Sequence, residues 1–252
     1  MSEPLRMLRL YPDLRRLAAW GHERGLVTRS GDLGYVLHAA LKAALQDLAP
    51  KPFRLIETAP GRHAVLAYTE ASAEALVARA VSAESDTESV LGLRTLESKP
   101  MPSRWPVGGR FRFELRARPV VRSGSDKNGE GARERDAFLH ACHAARDTPV
   151  DRGTVYAVWL AEQLARHRGA RLPQGKDGRP QALLRAFQRL RIARRGADRA
   201  LREVDGPDAV LAGMLEVTDA KAFTELLRRG VGRHRAFGYG MLLLKPGGAR
   251  GP

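Results

Sequence analysis

At 252 residues, 43% of them hydrophobic, the chain can bury the core of one large domain or two small ones. Its 43 Lys+Arg against 28 Asp+Glu give a formal charge of +15, unusual for a metabolic enzyme, and most of that charge is arginine, whose planar fork suits phosphates. Nucleic acid is therefore the expected partner. A single cysteine, Cys142, excludes an intramolecular disulfide framework, and no apolar run approaches the roughly 18 residues of a membrane span, so a cytoplasmic protein with no membrane partner is expected.

The first hundred residues alternate strand and helix signals. LRMLRLY near the start has strand character, and DLGYVLHAALKAALQDLA (32–49) has helical periodicity. PFRLIETA and RHAVLAYT read as two strands joined by the PG turn at 60–61. ASAEALVARAV (71–81) is a second helix, and SVLGLRTLESKPM holds a further strand. The order β-α-β-β-α-β is the ferredoxin-like (RRM-like) unit. WPVGGR, at about 105–110, marks the boundary between a first domain of residues 1–104 and a second of 105–252.

In the second domain RFRFELRARPVV opens as a half-buried strand, and SGSDKNGEGARERD (123–136) is polar and glycine-rich enough for a loop. VDRGTVYAVWLAEQLARHRGARL contains a helix of about four turns ending at Gly169. QALLRAFQRLRIARRGADRALRE is expected to be a basic helical segment with Gly196 as a possible break. LAGMLEVTD is then a strand, AKAFTELLRR a helix capped by Thr218 or Asp219, and YGMLLLKP the closing strand. The fold class expected is α+β: tandem ferredoxin-like units, the second carrying an arginine-rich helical insertion at about 150–203.

Three places carry candidate chemistry. On a helical wheel of 32–49 the residues Leu37, Ala40, Leu41, Ala44, Leu45 and Leu48 form a core stripe, and Tyr35, His38 and Lys42 form one edge beside it. A phenol, an imidazole and an ammonium on one edge can orient, relay a proton to, and clamp a phosphoryl group. The same edge also suits ordinary boundary residues. Of the other histidines, His22 and His167 look like solvated or terminal helix positions. His140 and His143 flank Cys142 without a second ligand pair at zinc spacing, so no metal site is expected.

The second place is the segment 179–202, with Arg179, Arg185, Arg189, Arg191, Arg194, Arg195, Arg199 and Arg202 against Asp198 alone. Read as a helix, most of these share one face opposite Leu183, Leu190, Ala193, Ala197 and Leu201. A face so nearly single in sign repels itself unless a polyanion covers it, which points to the phosphates of an A-form duplex. The third is RGVGRHRAFGYG, where Gly230, Gly232, Gly238 and Gly240 bracket Arg233, His234 and Arg235. Four glycines exceed what a helix-to-strand turn needs, and the cluster between them suits an anion.

YVLHAALKAAL, RGTVYAVWLAEQLARHRGARL and GMLEVTDAKAFTELLRRGVGRHRAFGYGMLLLKP together resemble the CRISPR repeat-processing endoribonucleases, most closely the CasE (Cse3) branch that serves Cascade complexes. The C-terminal match, a helix followed by GxGxxxxFGxG and a short apolar strand, is the most specific. The resemblance implies two ferredoxin-like domains that grip a repeat hairpin in precursor CRISPR RNA. They would cut it once at the 3′ base of the stem without metal or other cofactor, through attack of the 2′-hydroxyl on the adjacent phosphate. The protein would then stay on the mature crRNA beside other effector-complex subunits.

Carried over, the family's histidine falls on His38, its tyrosine on Tyr35, and its glycine-rich loop on Gly230 through Gly240, against RNA backbone. Lys42 transfers less well because its spacing from the histidine differs among relatives. The extra basic residues resemble the divergent processing subunit of type IV systems, which makes Arg233 and Arg235 alternative catalytic residues. A non-catalytic, hairpin-binding structural subunit is the competing reading. A double-stranded DNA regulator has little support, since no tight helix-turn-helix surrounds the basic segment.

Overall fold

Short strands and helices, the first helix capped by Asp13, build the first half. The structure, a computed structural model, describes residues 3–81, 85–123, 133–146, 148–195 and 200–245; the stretch 124–132, Gly196 and Arg199 lie outside them. In chain order come β1 (Arg6–Leu10), α1 (Leu14–Glu23), α2 (Gly34–Leu45), β2 (Phe53–Ala59), β3 (Arg62–Thr69), α3 (Ala73–Val81), α4 (Ser85–Leu91) and β4 (Glu97–Pro100). The strands form an antiparallel sheet in the order β2-β3-β1-β4, the ferredoxin-like arrangement. Helix α1, which the sequence reading passed over, starts where the Asp13 carboxylate accepts from the Arg15 and Arg16 amides at 3.0 and 3.1 Å, and it buries Leu17 and Trp20.

The second half runs β5 (Arg110–Ala117), β6 (Val120–Ser123), β7 (Arg133–Asp136), α5 (Ala137–Ala145), α6 (Arg152–His167), β8 (Ala170–Arg171), β9 (Leu183–Arg195), β10 (Leu201–Val217), α7 (Ala220–Arg229) and β11 (Leu242–Lys245). Its sheet has the order β11-β5-β10-β8, with β9 paired to β10, and β6 and β7 form a separate ribbon. Taking β5, α6, β8, β10, α7 and β11 as the six elements reproduces the ferredoxin-like pattern, so the tandem architecture is present. The Asp219 carboxylate caps α7 by accepting from the Ala222 amide at 2.7 Å.

Within the arginine-rich insertion α6 is helical, but the basic segment expected to be a helix is not. Leu183–Arg195 is a strand that pairs antiparallel with β10 through twelve residue positions, Leu201↔Arg195 to Ala212↔Leu183, with an irregularity between Val210 and Leu211. The arginines fit either period. At spacing two, Arg189, Arg191 and Arg195 share one face with Phe187 and Ala193, while Leu190 and Ile192 take the other. The long partner β10 selects the strand by supplying a full ladder of backbone hydrogen bonds, which local pattern alone does not reveal.

Two cores result, and each borrows from the other half. Leu5 and Tyr68 of the first half are buried with Phe113, Tyr156, Trp159 and Phe223 of the second, and Ala193 at the end of β9 is buried with Leu37, Leu41 and Phe53 of the first. Polar groups bridge the same boundary. Arg54 on β2 donates to Glu114 on β5 at 2.5 Å, and the buried Tyr68 hydroxyl donates to the Leu242 carbonyl at 3.0 Å. The end of the β9–β10 hairpin thus rests on α2, the helix that carries Tyr35 and His38.

Candidate nucleic-acid interface

Helix α2 meets the glycine-rich loop at its first turn. A Cβ added to Gly34 would stand 2.5 Å from the Phe237 carbonyl oxygen, so only glycine lets the loop come this close. Phe237 then lies between the two candidate histidines: its ring is 5.5 Å from that of His38, edge-on, and 6.2 Å from that of His234. Tyr35 packs on the same ring at 5.7 Å and is 6.3 Å from His38. The structure therefore brings Tyr35, His38 and the loop together, though the residues come from opposite ends of the chain.

Tyr35 is buried rather than at an open edge, and its phenol oxygen accepts from Arg195 Nε at 2.9 Å. Burial, with Lys42 and Lys51 nearby, holds the half-buried His38 imidazole below its ordinary pKa. Near pH 7 it is neutral and able to accept a proton. Lys42 itself is exposed and turns to the end of its own helix, donating to the Gln46 carbonyl at 2.7 Å.

The glycines of the loop serve its closure. The Val231 amide donates to the Gly240 carbonyl at 2.8 Å, and the Gly240 amide donates to the Arg116 carbonyl at 2.8 Å. At Gly240, φ is +78° and a Cβ would stand 2.5 Å from the Val231 oxygen; at Gly230 it would stand 2.7 Å from the Gly240 oxygen. Gly230, Gly238 and Gly240 are buried against protein, with Pro52 beside Gly230 and Phe53 beside Gly238, and Gly232 faces Trp159. In the structure these glycines let the loop close on itself, and Arg233 and Arg235 between them are its exposed side chains.

His234 is held inside the loop: its side chain is only 4% exposed, and its Nε2 lies 2.7 Å from a Glu134 carboxylate oxygen, so it anchors the loop. Arg233 is paired with the same carboxylate. Burial works against the charge on Glu134, but the bonds from His234 and Arg233 outweigh it and bring its pKa down to about 2. Arg235 donates to the Arg229 carbonyl at 2.7 Å, a neutral partner that leaves its charge uncancelled.

Outside the loop opens a cleft of about 960 Å³, lined by Lys51, Gln163, His167, Arg194, Arg228, Arg229, Arg233, Arg235 and Phe237 among others. No carboxylate is among the described residues lining it. His167, read from sequence as an ordinary helix end, is one of its walls; burial and the nearby Arg235 and Arg229 lower its pKa. Arg194 comes from the basic segment the sequence pointed to, whereas Lys51 and Arg229 are further members the sequence reading did not single out. The one signal available was their charge.

The remaining arginines lie along the hairpin. Arg185, Arg189 and Arg191 are exposed on β9 and Arg202 on β10. Arg189 reaches across to Asp205, and Arg191 lies 3.9 Å from Glu203, so the face is partly neutralised by its own partner strand. Arg199 is outside the described residues. Among those residues no group of three or more His, Cys, Asp or Glu could hold a metal ion, and no helix is long and apolar enough to cross a membrane.

Residues 7–246 match the family model described as CRISPR associated protein. The chain belongs to that family. Solved structures agree on the fold of this CRISPR-associated protein. Thermus thermophilus Cse3 bound to an RNA representing a pre-cleavage complex is 23% identical, with a TM-score of 0.64 over 96% of this chain and 100% of that one. A CRISPR endoribonuclease Cse3 bound to a 19-nucleotide RNA is also 23% identical, with a TM-score of 0.62 over the same shares. A chain of a CRISPR RNA-guided surveillance complex is 18% identical, with a TM-score of 0.54 over 95% and 98%. A search of curated protein sequences gave no significant match.

Proposed function

We propose that this CRISPR-associated protein is an endoribonuclease that binds a repeat hairpin in precursor CRISPR RNA and cuts it without metal at the 3′ base of the stem. It then remains on the mature crRNA as a subunit of an effector complex. The observation that carries this reading is the junction of His38 and Tyr35 with the loop beside a cleft of one charge sign. Membership of the family, and likeness in fold to Cse3 proteins whose structures hold RNA, support it.

In this mechanism the neutral His38 imidazole accepts the proton of the 2′-hydroxyl 5′ to the scissile phosphate. The 2′ oxygen bonds to phosphorus, the bond to the 5′ oxygen breaks, and that oxygen takes a proton from solvent. The products are a 2′,3′-cyclic phosphate and a 5′-hydroxyl. Arg235, with its charge uncancelled, is better placed than Arg233 to offset the developing negative charge, because Arg233 is already held by Glu134. RNA and effector subunits are thus the proposed partners.

The test is cutting of labelled repeat RNA in excess chelator. Replacing the single 2′-hydroxyl next to the scissile phosphate by hydrogen should abolish cutting and leave binding nearly intact, and His38→Ala should slow cutting by roughly 100-fold or more. Cutting of the deoxy substrate, or dependence on added magnesium, sinks the mechanism. A second reading, a hairpin-binding structural subunit, is favoured by the packing of His38 edge-on against Phe237, which suits an ordinary boundary residue. It predicts tight binding with no cyclic-phosphate product.

A further inference from the structure

Arg195 stands apart from the other arginines of the hairpin. Arg189 and Arg191 reach across the ladder to Asp205 and Glu203, but Arg195 lies opposite Leu201 and turns to Tyr35 of the other half. Its backbone is fixed there, because Ala193, two residues earlier, is fully buried in the first core and Leu201 packs on the same core. Its neighbour Arg194 faces the cleft. Alternation along the strand thus sends one arginine toward the cleft and the next to the phenol.

Resting on the endoribonuclease reading, we propose that Arg195 is a positioning residue for the cut, acting through Tyr35 rather than on RNA phosphate. The direction of the bond carries the argument. A guanidinium has only donors, so in the 2.9 Å contact the phenol oxygen must be the acceptor. The phenol hydrogen takes no part in that bond and remains to be donated. The Arg195 charge polarises the O–H, and the ring is held by Phe237, so the donor has a fixed direction. In the proposed site its natural acceptor is the sugar or phosphate oxygen beside His38. The same contact couples seating of the hairpin to alignment of the reacting group, since Arg195 is the end of the strand whose exposed arginines face outward.

The experiment is a double-mutant cycle read by single-turnover cutting of the repeat hairpin at saturating protein, with affinity measured over a salt series. Arg195→Ala should slow cutting by about 10- to 100-fold, the range of a lost hydrogen bond to a charged group, with little change in affinity. In a Tyr35→Phe background the same change should cost almost nothing further, because the bond is already absent. Arg195→Lys, which keeps the charge and a donor, should recover part of the rate; it also guards against a fold lost with Ala. Additive losses in the cycle overturn the proposal. So does a salt slope that falls by about 0.7 to 0.9 in Arg195→Ala, which marks a phosphate contact. If the unaltered protein does not cut at all, the endoribonuclease reading fails and takes this inference with it, whereas cutting with an additive cycle fails the inference alone.

Discussion

Glu134→Gln should destabilise the protein, and the loss should vary with pH in a way that identifies its cause. The Glu134 carboxyl is moved from its ordinary 4.5 to about 2 by the His234 and Arg233 bonds, against the cost of its own burial. At about 1.4 kcal/mol per tenfold change in proton affinity, that displacement corresponds to ~3 kcal/mol. Arg233 is 42% exposed and its share is screened by solvent, which brings the expected loss to ~2 kcal/mol. A depressed carboxyl stabilises fully above its unfolded value, so the contribution is present near neutrality and is lost as pH falls from 4.5 towards 2. Urea unfolding of the two proteins should show the full difference at about pH 7 and less than half of it at about pH 3. A difference that stays constant over this range, or one below ~0.5 kcal/mol at neutrality, refutes the argument that this carboxylate holds the loop.

Two further outcomes follow from the same geometry. Replacing Arg185, Arg189 and Arg191 together by Gln should weaken hairpin binding and flatten the dependence of log K on log salt, each lost phosphate contact removing roughly 0.7 to 0.9 of slope; an unchanged slope removes β9 from the RNA site. Lys51→Gln removes one of the cations that lower the His38 pKa, so that pKa should rise and the acid limb of the cutting profile should move to higher pH. A limb that stays in place separates His38 from the titration that controls cutting.

Elements whose local chemistry and tertiary role agree were legible in the sequence. The α2 stripe of Leu37, Ala40, Leu41, Ala44 and Leu45 is buried as its spacing requires, and α7 begins at an Asp219 cap that the sequence offered. Strand β9 was not legible, because arginine and leucine are good helix formers and the spacing of the arginines satisfies both periods; the deciding partner lies in β10. Glu134 was invisible for a related reason. It sits in a polar, glycine-rich stretch and bonds His234, a hundred positions away, and no local pattern encodes such a pair. The four loop glycines were legible as unusual, but the protein contacts they permit were not, since a glycine needed for contact with protein looks the same in sequence as one needed for contact with RNA.

The site is divided between the halves, and that division makes the boundary between them part of its machinery. His38 and Tyr35 stand on α2 of the first half, whereas Arg195, Arg235 and Phe237 belong to elements of the second half, so a small rotation of one half on the other would separate the proposed proton acceptor, the phenol and the cations. The boundary is built to resist it. Tyr68 donates to Leu242 in the buried interior, Arg54 to Glu114, and Ala193 sits fully inside the first core. The second half also keeps its own elements in register: Arg116 on β5 makes a bidentate pair with Asp208 on β10 at 2.9 and 2.8 Å while its carbonyl accepts from Gly240 of the loop. Groups aligned before substrate arrives need no reorganisation during reaction, which is where electrostatic catalysis gains most. A site assembled from flexible arginines alone would bind RNA well and cut it slowly; here the fold spends its buried polar contacts on holding the two halves in one arrangement.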